Sequence, residues 1–320
     1  MARLGSFVPA GVIPACLLPF DEDFAIDAGE YRKHLRDIAS VPGLAAITTN
    51  AHASEVHACS VEEQRRVLDL TLDEVGDRLP VVAGIYADGS LAAAEIAGMA
   101  ARAGAAALLV FPPNSMSMGG QLRPEMALAH FQRVADAAGL PLILFQYSLV
   151  SGLGYPLETL LRLVDSVPSI LAIKDWCNDG MLHERHVRTL QGLPRPVNVL
   201  TTHSTWLMSS LVLGCKGLLS GAGSVIADLQ AALWRAVEAK DLAAAQAHSE
   251  RIYPVIQAFY APPFLDMHNR MKEALVLLGR LKRAVVRPPL IKLPASEAAR
   301  IRAALAQARI TTAGAFDRAA

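Results

Sequence analysis

Along this chain, short apolar runs alternate with longer stretches in which apolar residues recur at spacings of three and four. Eight runs of strand length are legible: VIPACLLPF (12–20), LAAITTN (44–50), PVVAGIY (80–86), AALLVFPP (106–113), PLILFQYS (141–148), ILAIKDW (170–176), VNVLTTH (197–203) and KGLLSG (216–221). Because they are apolar at nearly every residue, they predict parallel strands covered on both faces by crossover helices. The stretches between them, such as EEQRRVLDLTLDEV, SLAAAEIAGMAARAG and PLETLLRLVDSV, carry the helical period. Pro156 suits a first helical position, and Gly104 and Gly139 suit the residue just past a helix end. Eight strands in this alternation predict an α/β fold, the closed TIM (β/α)₈ barrel.

After the eighth run the alternation stops, and helical stretches follow near 228–260, 263–280 and 295–308. Residues 1–226 therefore read as the barrel strands and helices, and 227–320 as the last barrel helix and a C-terminal three-helix extension of the same domain. VVRPPLIKLP (285–294) is a Pro-rich connection rather than a linker, since helical sequence resumes at once.

Composition narrows the function classes. A barrel commonly takes about 250 residues, so a chain of 320 holds one barrel and an appendage. The 30 basic and 30 acidic side chains cancel, which removes the electrostatic case for nucleic acid or an anionic membrane. The expected partner is a small molecule. Cys16, Cys59, Cys177 and Cys215 form no C-x-x-C pair, as in a reduced compartment. Pro9, Pro14 and Pro19 interrupt the N-terminal apolar stretch that a secretion signal would need as a helix, and no run reaches the roughly 18 apolar residues of a membrane span. A cytoplasmic, soluble protein is expected.

In such a barrel the reactive face lies at the C-terminal ends of the strands. Lys174 ends the sixth run after four apolar residues, where desolvation would lower its pKa and supply a free amine able to attack a carbonyl. The alternative is a structural lysine that snorkels or is neutralised by Asp175. The other lysines fit the catalytic role poorly. Lys216 precedes its strand, Lys33 and Lys240 sit in helical stretches, and Lys272, Lys282 and Lys292 belong to the tail.

The succession LPFD (18–21), a polar loop ending in Glu55, PVVAG (80–84), PLILFQY (141–147), IKD (173–175), GLLSGAGSV (217–225) and VRPPL (286–290) resembles the dihydrodipicolinate synthase and N-acetylneuraminate lyase family of Schiff-base aldolases over nearly the whole chain. The resemblance implies that Lys174 forms a Schiff base with the keto group of a small 2-oxo acid of the pyruvate type. It also implies that the loop at 51–55 cradles the substrate carboxylate and that the tail adds three helices. No cofactor is implied, and a homo-oligomer, tetramer or dimer, is expected.

Several positions depart from the family pattern. The loop, usually Gly-Thr-Thr-Gly-Glu, reads Ala51, His52, Ala53, Ser54, Glu55. Its backbone N–H groups at 52–54 remain the expected carboxylate donors. The usual fifth-strand tyrosine is Phe145, and Tyr147, two residues on and on the same side of the strand, is its expected substitute. The intersubunit relay tyrosine aligns with Asn114, and the arginine for a dicarboxylic second substrate aligns with Val150. His52 lies in the loop after the second run and His203 closes the seventh, and both are expected to face the Lys174 amine as proton carriers with pKa near neutrality. With Tyr147 and Ser220 they would make a polar ring in an otherwise apolar barrel, and Gly221 is a further expected substrate contact. Each histidine alone has an equally good reading as structural.

A divalent metal held by His52, His57, His203 and Asp175 is the competing chemistry. The spacing gives it little support, because no H-x-H or H-E-x-x-H pair occurs, and no metal is expected. The sequence thus predicts a lyase or aldolase acting through Lys174. A dehydratase or deaminase using the same imine, the disfavoured synthase, and a non-catalytic 2-oxo-acid binding protein are the alternatives.

Overall fold

The structure, a computed structural model, describes residues 7–311. Eight parallel strands follow in order: β1 (Gly11–Pro14), β2 (Ile47–Thr49), β3 (Val81–Ile85), β4 (Ala107–Val110), β5 (Leu142–Gln146), β6 (Ile170–Asp175), β7 (Asn198–Thr201) and β8 (Gly217–Ser220). From β2 to β8 each strand pairs with the next, β1 pairs with β8, and single bridges from Val12 to Leu44 and from Ala15 to Thr48 link the β1 and β2 segments. The sheet is thereby closed into the predicted barrel.

The crossover helices are α1 (Ala28–Ala39), α2 (Val61–Val75), α3 (Ser90–Ala103), α4 (Pro124–Ala138), α5 (Leu157–Ser166), α6 (Gly180–Gln191), α7 (Leu207–Val212) and α8 (Gly223–Glu238). Their ends are fixed locally. In α2 the Ser60 hydroxyl accepts from Glu63 N–H, and the Glu63 carboxylate accepts from Ser60 N–H, a reciprocal cap. Gly104 and Gly139 end α3 and α4 in the left-handed region, as the sequence suggested. The apolar strands are buried on both faces, and the helices contribute their inner stripes to the same core.

The tail differs from its prediction at two places. The expected helix over 228–260 is broken, because Lys240 takes φ 58° and Asp241 caps a new helix by accepting from Ala244 N–H. The result is α8 followed by α9 (Leu242–Phe259). Next, α10 (Met267–Leu277) begins later than position 263, after Pro262, Pro263 and a single 3₁₀ turn at Phe264–Asp266. Then α11 (Ala295–Gln307) follows the Pro-rich connection. Among the described residues no helix is long and apolar enough to cross a membrane.

Candidate active site

Strand alternation sends neighbouring side chains to opposite faces, and at the end of β6 this separates two charges. Lys174 is 4% exposed, its Nζ 4.1 Å from the centroid of the Phe145 ring, and burial lowers its pKa to about 7. Asp175 points the other way. Its Oδ2 accepts from Nδ1 of His183 and of His186, each at 2.8 Å, and its Oδ1 accepts from Cys177 N–H at 2.9 Å. The structural reading, in which Asp175 neutralises the lysine, is thereby removed. Lys174 stands in an apolar cleft with no acidic partner among the described residues.

The loop after β2 is shaped by its backbone. Asn50 and Glu55 both take positive φ, 52° and 53°, bracketing a 3₁₀ turn at His52–Ser54. Gly84 of β3 makes room for it, since a Cβ there would lie 1.9 Å from the Asn50 carbonyl oxygen. Three N–H donors were expected at 52–54, but Ser54 N–H is spent on the Ala51 carbonyl at 3.0 Å. The N–H groups of His52 and Ala53, first in the turn, remain as donors. The Ser54 hydroxyl also turns away, donating to the Cys16 carbonyl at 2.8 Å. Ala51 is fully buried beneath the turn, and Ala53 lines the cleft.

Glu55 is held from the tail. Its carboxylate pairs with the ammonium of fully buried Lys272 in α10 and accepts from Arg287 N–H at 3.0 Å. Lys272, set aside in the sequence as a tail lysine, thus positions the loop. The VRPPL motif, whose Arg287 also binds Glu55, was the available signal that the tail returns to the barrel, but it did not name this lysine.

His52 and Tyr147 meet as a pair, the imidazole Nε2 hydrogen-bonded to the phenol oxygen. Phe145 and Tyr147 pack with ring centroids 4.4 Å apart, so the tyrosine expected as a substitute lies beside the Phe145 ring. Burial holds Tyr147 well above the usual phenol range. Burial, then the nearby Lys174 charge and His57, lowers His52 to about 3. The expectation of a histidine titrating near neutrality is corrected: His52 is a neutral imidazole partnered by a neutral phenol.

His203 is not among the residues that line the cleft. Its Nε2 accepts from Asn178 N–H at 3.1 Å and its ring lies 4.2 Å from that of Trp206, so it is committed behind the strand ends. Burial lowers it to about 4, despite the opposing effect of Asp175. Ser220 is likewise held in a network with Ser204 and Gln230, while Gly221 lines the cleft. Asn114 is exposed at the rim, where its side chain donates to the Tyr86 hydroxyl and its N–H to Asp88. Val150 is 97% exposed. The metal set considered from sequence is split, with His52 on Tyr147 in the cleft and Asp175 and His203 in a different cluster.

The opposite wall was not foreseen. Tyr260, Phe264, Met267, His268 and Met271 come from the end of α9, the 3₁₀ turn at Phe264–Asp266 and α10, and Trp176 follows β6. Trp176 stacks on Phe264 at 5.2 Å between centroids, and Phe264 stacks on Tyr260 at 5.4 Å. Tyr260 hydrogen-bonds to Ser204, Ser220 and the Ala222 backbone, and burial raises its pKa. His268 is also buried, with Nδ1 lacking a partner. Among these lining residues the only ammonium or guanidinium is Lys174, and there is no carboxylate. The cleft can therefore activate a carbonyl, seat one carboxylate on backbone N–H groups, and surround the remainder of a ligand with aromatic and thioether surface.

Comparison with known proteins bears on this geometry. A family model described as the dihydrodipicolinate synthetase family matches residues 8–308. A 4-hydroxy-tetrahydrodipicolinate synthase of Kineococcus radiotolerans is 31% identical over 311 residues, covering 94% of each chain. The putative 2-dehydro-3-deoxy-D-gluconate aldolase YagE of Escherichia coli is 26% identical over 304 residues, covering 94% of this chain and 97% of that one. The crystal structure of YagE in complex with pyruvate superposes with a TM-score of 0.85 at 24% identity, covering 94% of this chain and 99% of that one. That of N-acetylneuraminate lyase from Fusobacterium nucleatum gives 0.80 at 17%, covering 93% and 98%. These two structures share the fold.

Proposed function

Because the chain belongs to the dihydrodipicolinate synthetase family and is a lyase of the class I aldolase type, we propose that it cleaves a 2-oxo acid with one carboxylate and an aromatic or apolar remainder, through an imine on Lys174. The observation that carries this reading is Lys174 itself: a buried amine of pKa about 7, without a counter-ion, in a cleft that holds no other ammonium or guanidinium.

The neutral Lys174 amine adds to the C2 carbonyl, and the carbinolamine loses water to give a protonated imine. The carboxylate rests on the N–H groups of His52 and Ala53. A proton then leaves the substrate's C4 hydroxyl, the C3–C4 bond breaks, and its electron pair moves through C2 to the imine nitrogen as an enamine. In this reading His52, which lines the cleft and is hydrogen-bonded to Tyr147, takes that proton with the phenol's help, and the pair returns one to C3. Water then hydrolyses the pyruvate imine. The aldehyde released carries the remainder that faced Trp176, Phe264 and Tyr260.

YagE in complex with pyruvate supports a pyruvate-type first half. The 31% identical synthase supports the reverse sense, condensation. Against its dicarboxylic chemistry stands Val150, exposed and apolar where the family's arginine aligns. A homo-oligomer with Asn114 at a subunit contact is part of this reading.

The test is imine trapping. Protein mixed with pyruvate and borohydride should gain one irreversible adduct on Lys174, absent from Lys174→Ala. Coupled detection of pyruvate from 4-hydroxy-2-oxo acids with aryl and with polyhydroxylated tails then identifies the remainder. An unmodified Lys174 would sink the imine, and retention of all carbons would turn the reading to dehydration or deamination.

A further inference from the structure

Away from the cleft, on the outer face of β6, lies a cluster for which the imine chemistry has no use. Asp175, Cys177, His183 and His203 are all buried, and each offers a donor atom within 4.8 Å of the others. Cys177 Sγ lies 3.8 Å from His203 Nε2, and His183 Nδ1 lies 2.8 Å from Asp175 Oδ2.

At its centre is Asp175, fully buried, whose carboxylate accepts from Nδ1 of His183 and of His186 and from Cys177 N–H. Among the described residues no lysine or arginine pairs with it, and the third donor is a backbone N–H. Burial of an anion is costly unless a cation accompanies it. We propose that Asp175, Cys177, His183 and His203 hold a single divalent transition-metal ion, zinc by the chemistry of its donors, as a structural fastening of α6 and the β6–α6 turn to the end of β7.

One thiolate, two imidazoles and a carboxylate form a borderline-soft set that suits zinc over magnesium or calcium. Zinc bonds of about 2.0–2.3 Å in tetrahedral array put ligand atoms roughly 3.3–3.8 Å apart, so the set must contract by about 1 Å at its widest. The surrounding contacts fit that change. The Thr201 hydroxyl, 3.3 Å from His203 Nδ1, orients the ring with Nε2 toward Cys177. If His183 binds through Nδ1, its proton moves to Nε2, which already faces Cys215 Sγ at 3.3 Å. His186 keeps its bond to Asp175. Binding expels the Cys177 thiol proton, and the Asn178 N–H bond to His203 gives way.

The experiment uses the full chain purified without chelator. Elemental analysis should find about one zinc per chain. After chelator treatment, added Zn²⁺ should raise the melting temperature, and added Co²⁺ should give a thiolate-to-cobalt charge-transfer band. Cys177→Ser should abolish that band and weaken Zn²⁺ binding at least tenfold, whereas Cys215→Ser should keep both. Wild-type protein with neither retained metal nor a melting shift or band on titration overturns the site, and this readout needs no variant to fold. Undiminished binding in Cys177→Ser overturns it equally, by placing the ion elsewhere. In either case the cluster is a proton-shared Asp–His network.

Discussion

Lys272 reaches from α10 to close a fully buried ion pair with Glu55, the residue that ends the loop lining the Lys174 cleft. Removing one partner strands a charge in the interior. Glu55→Gln is expected to cost about 3–5 kcal/mol in chemical denaturation. Glu55→Gln combined with Lys272→Met is expected to recover much of that loss while still loosening the loop. The readout for the loop is a higher KM for the 2-oxo acid with imine formation retained. Equal stability of the single and double variants would show that the pair is not coupled.

The depressed Lys174 pKa sets two pH dependences. Only the free amine attacks, so the borohydride-trapped fraction at short times should rise as pH passes through about 7 and then level. Stability follows the same group. Below about 7 both folded and unfolded chains carry the proton, and the cost of burying it is fully present. Between about 7 and the ordinary 10.5 the unfolded chain binds more protons, so this residue's destabilisation fades as pH rises. Lys174→Met should therefore raise stability at pH 7, on the order of 3 kcal/mol, with the gain shrinking toward pH 10. A melting temperature unchanged by the substitution at pH 7 would contradict the buried ammonium.

Tyr147→Phe removes the hydroxyl from its pair with His52. Pyruvate should still form the imine, and turnover should fall by about 10²–10⁴-fold, the usual weight of a positioned acid–base group. His52→Ala combined with Tyr147→Phe should lose little more than either alone, because the two act on one proton. Additive losses in single-turnover kinetics would assign them separate steps.

Phe264 stacks on both Trp176 and Tyr260. Phe264→Ala is expected to lower kcat/KM for an aryl-bearing substrate about 10-fold or more, from roughly 1.5 kcal/mol of lost aromatic contact, and to leave pyruvate trapping unchanged. A parallel fall for aryl and polyhydroxylated substrates would mean that this wall does not select.

The barrel was legible in the sequence because strands buried on both faces write continuous apolar runs, and Lys174 was legible because it interrupts one at its end. What strand position leaves open is direction and commitment. His203 was expected to close the seventh strand, yet it lies two residues beyond β7, where Asn178 and Trp206 hold it behind the wall. Ser54 sits in the expected loop, yet its N–H and hydroxyl are consumed by the turn and by Cys16. The acidity of His52 was misjudged for a related reason: proximity to the amine was foreseen, and the depth of burial was not. Phe264 escaped notice, and Lys272 was set aside as a tail lysine, because their partners Trp176 and Glu55 lie far away in the chain, where no local period records the contact.

The wall supplied by α9 and α10 divides the labour of the molecule unevenly along its length. In the proposed reaction the amine and the carboxylate seat belong to the barrel, whereas much of the cleft surface left for the rest of the substrate is encoded in a short, late stretch of sequence. Recombining that stretch between relatives should exchange substrate preference while the chemistry stays with the host, which makes the tail the natural unit for inheriting, or engineering, a new specificity.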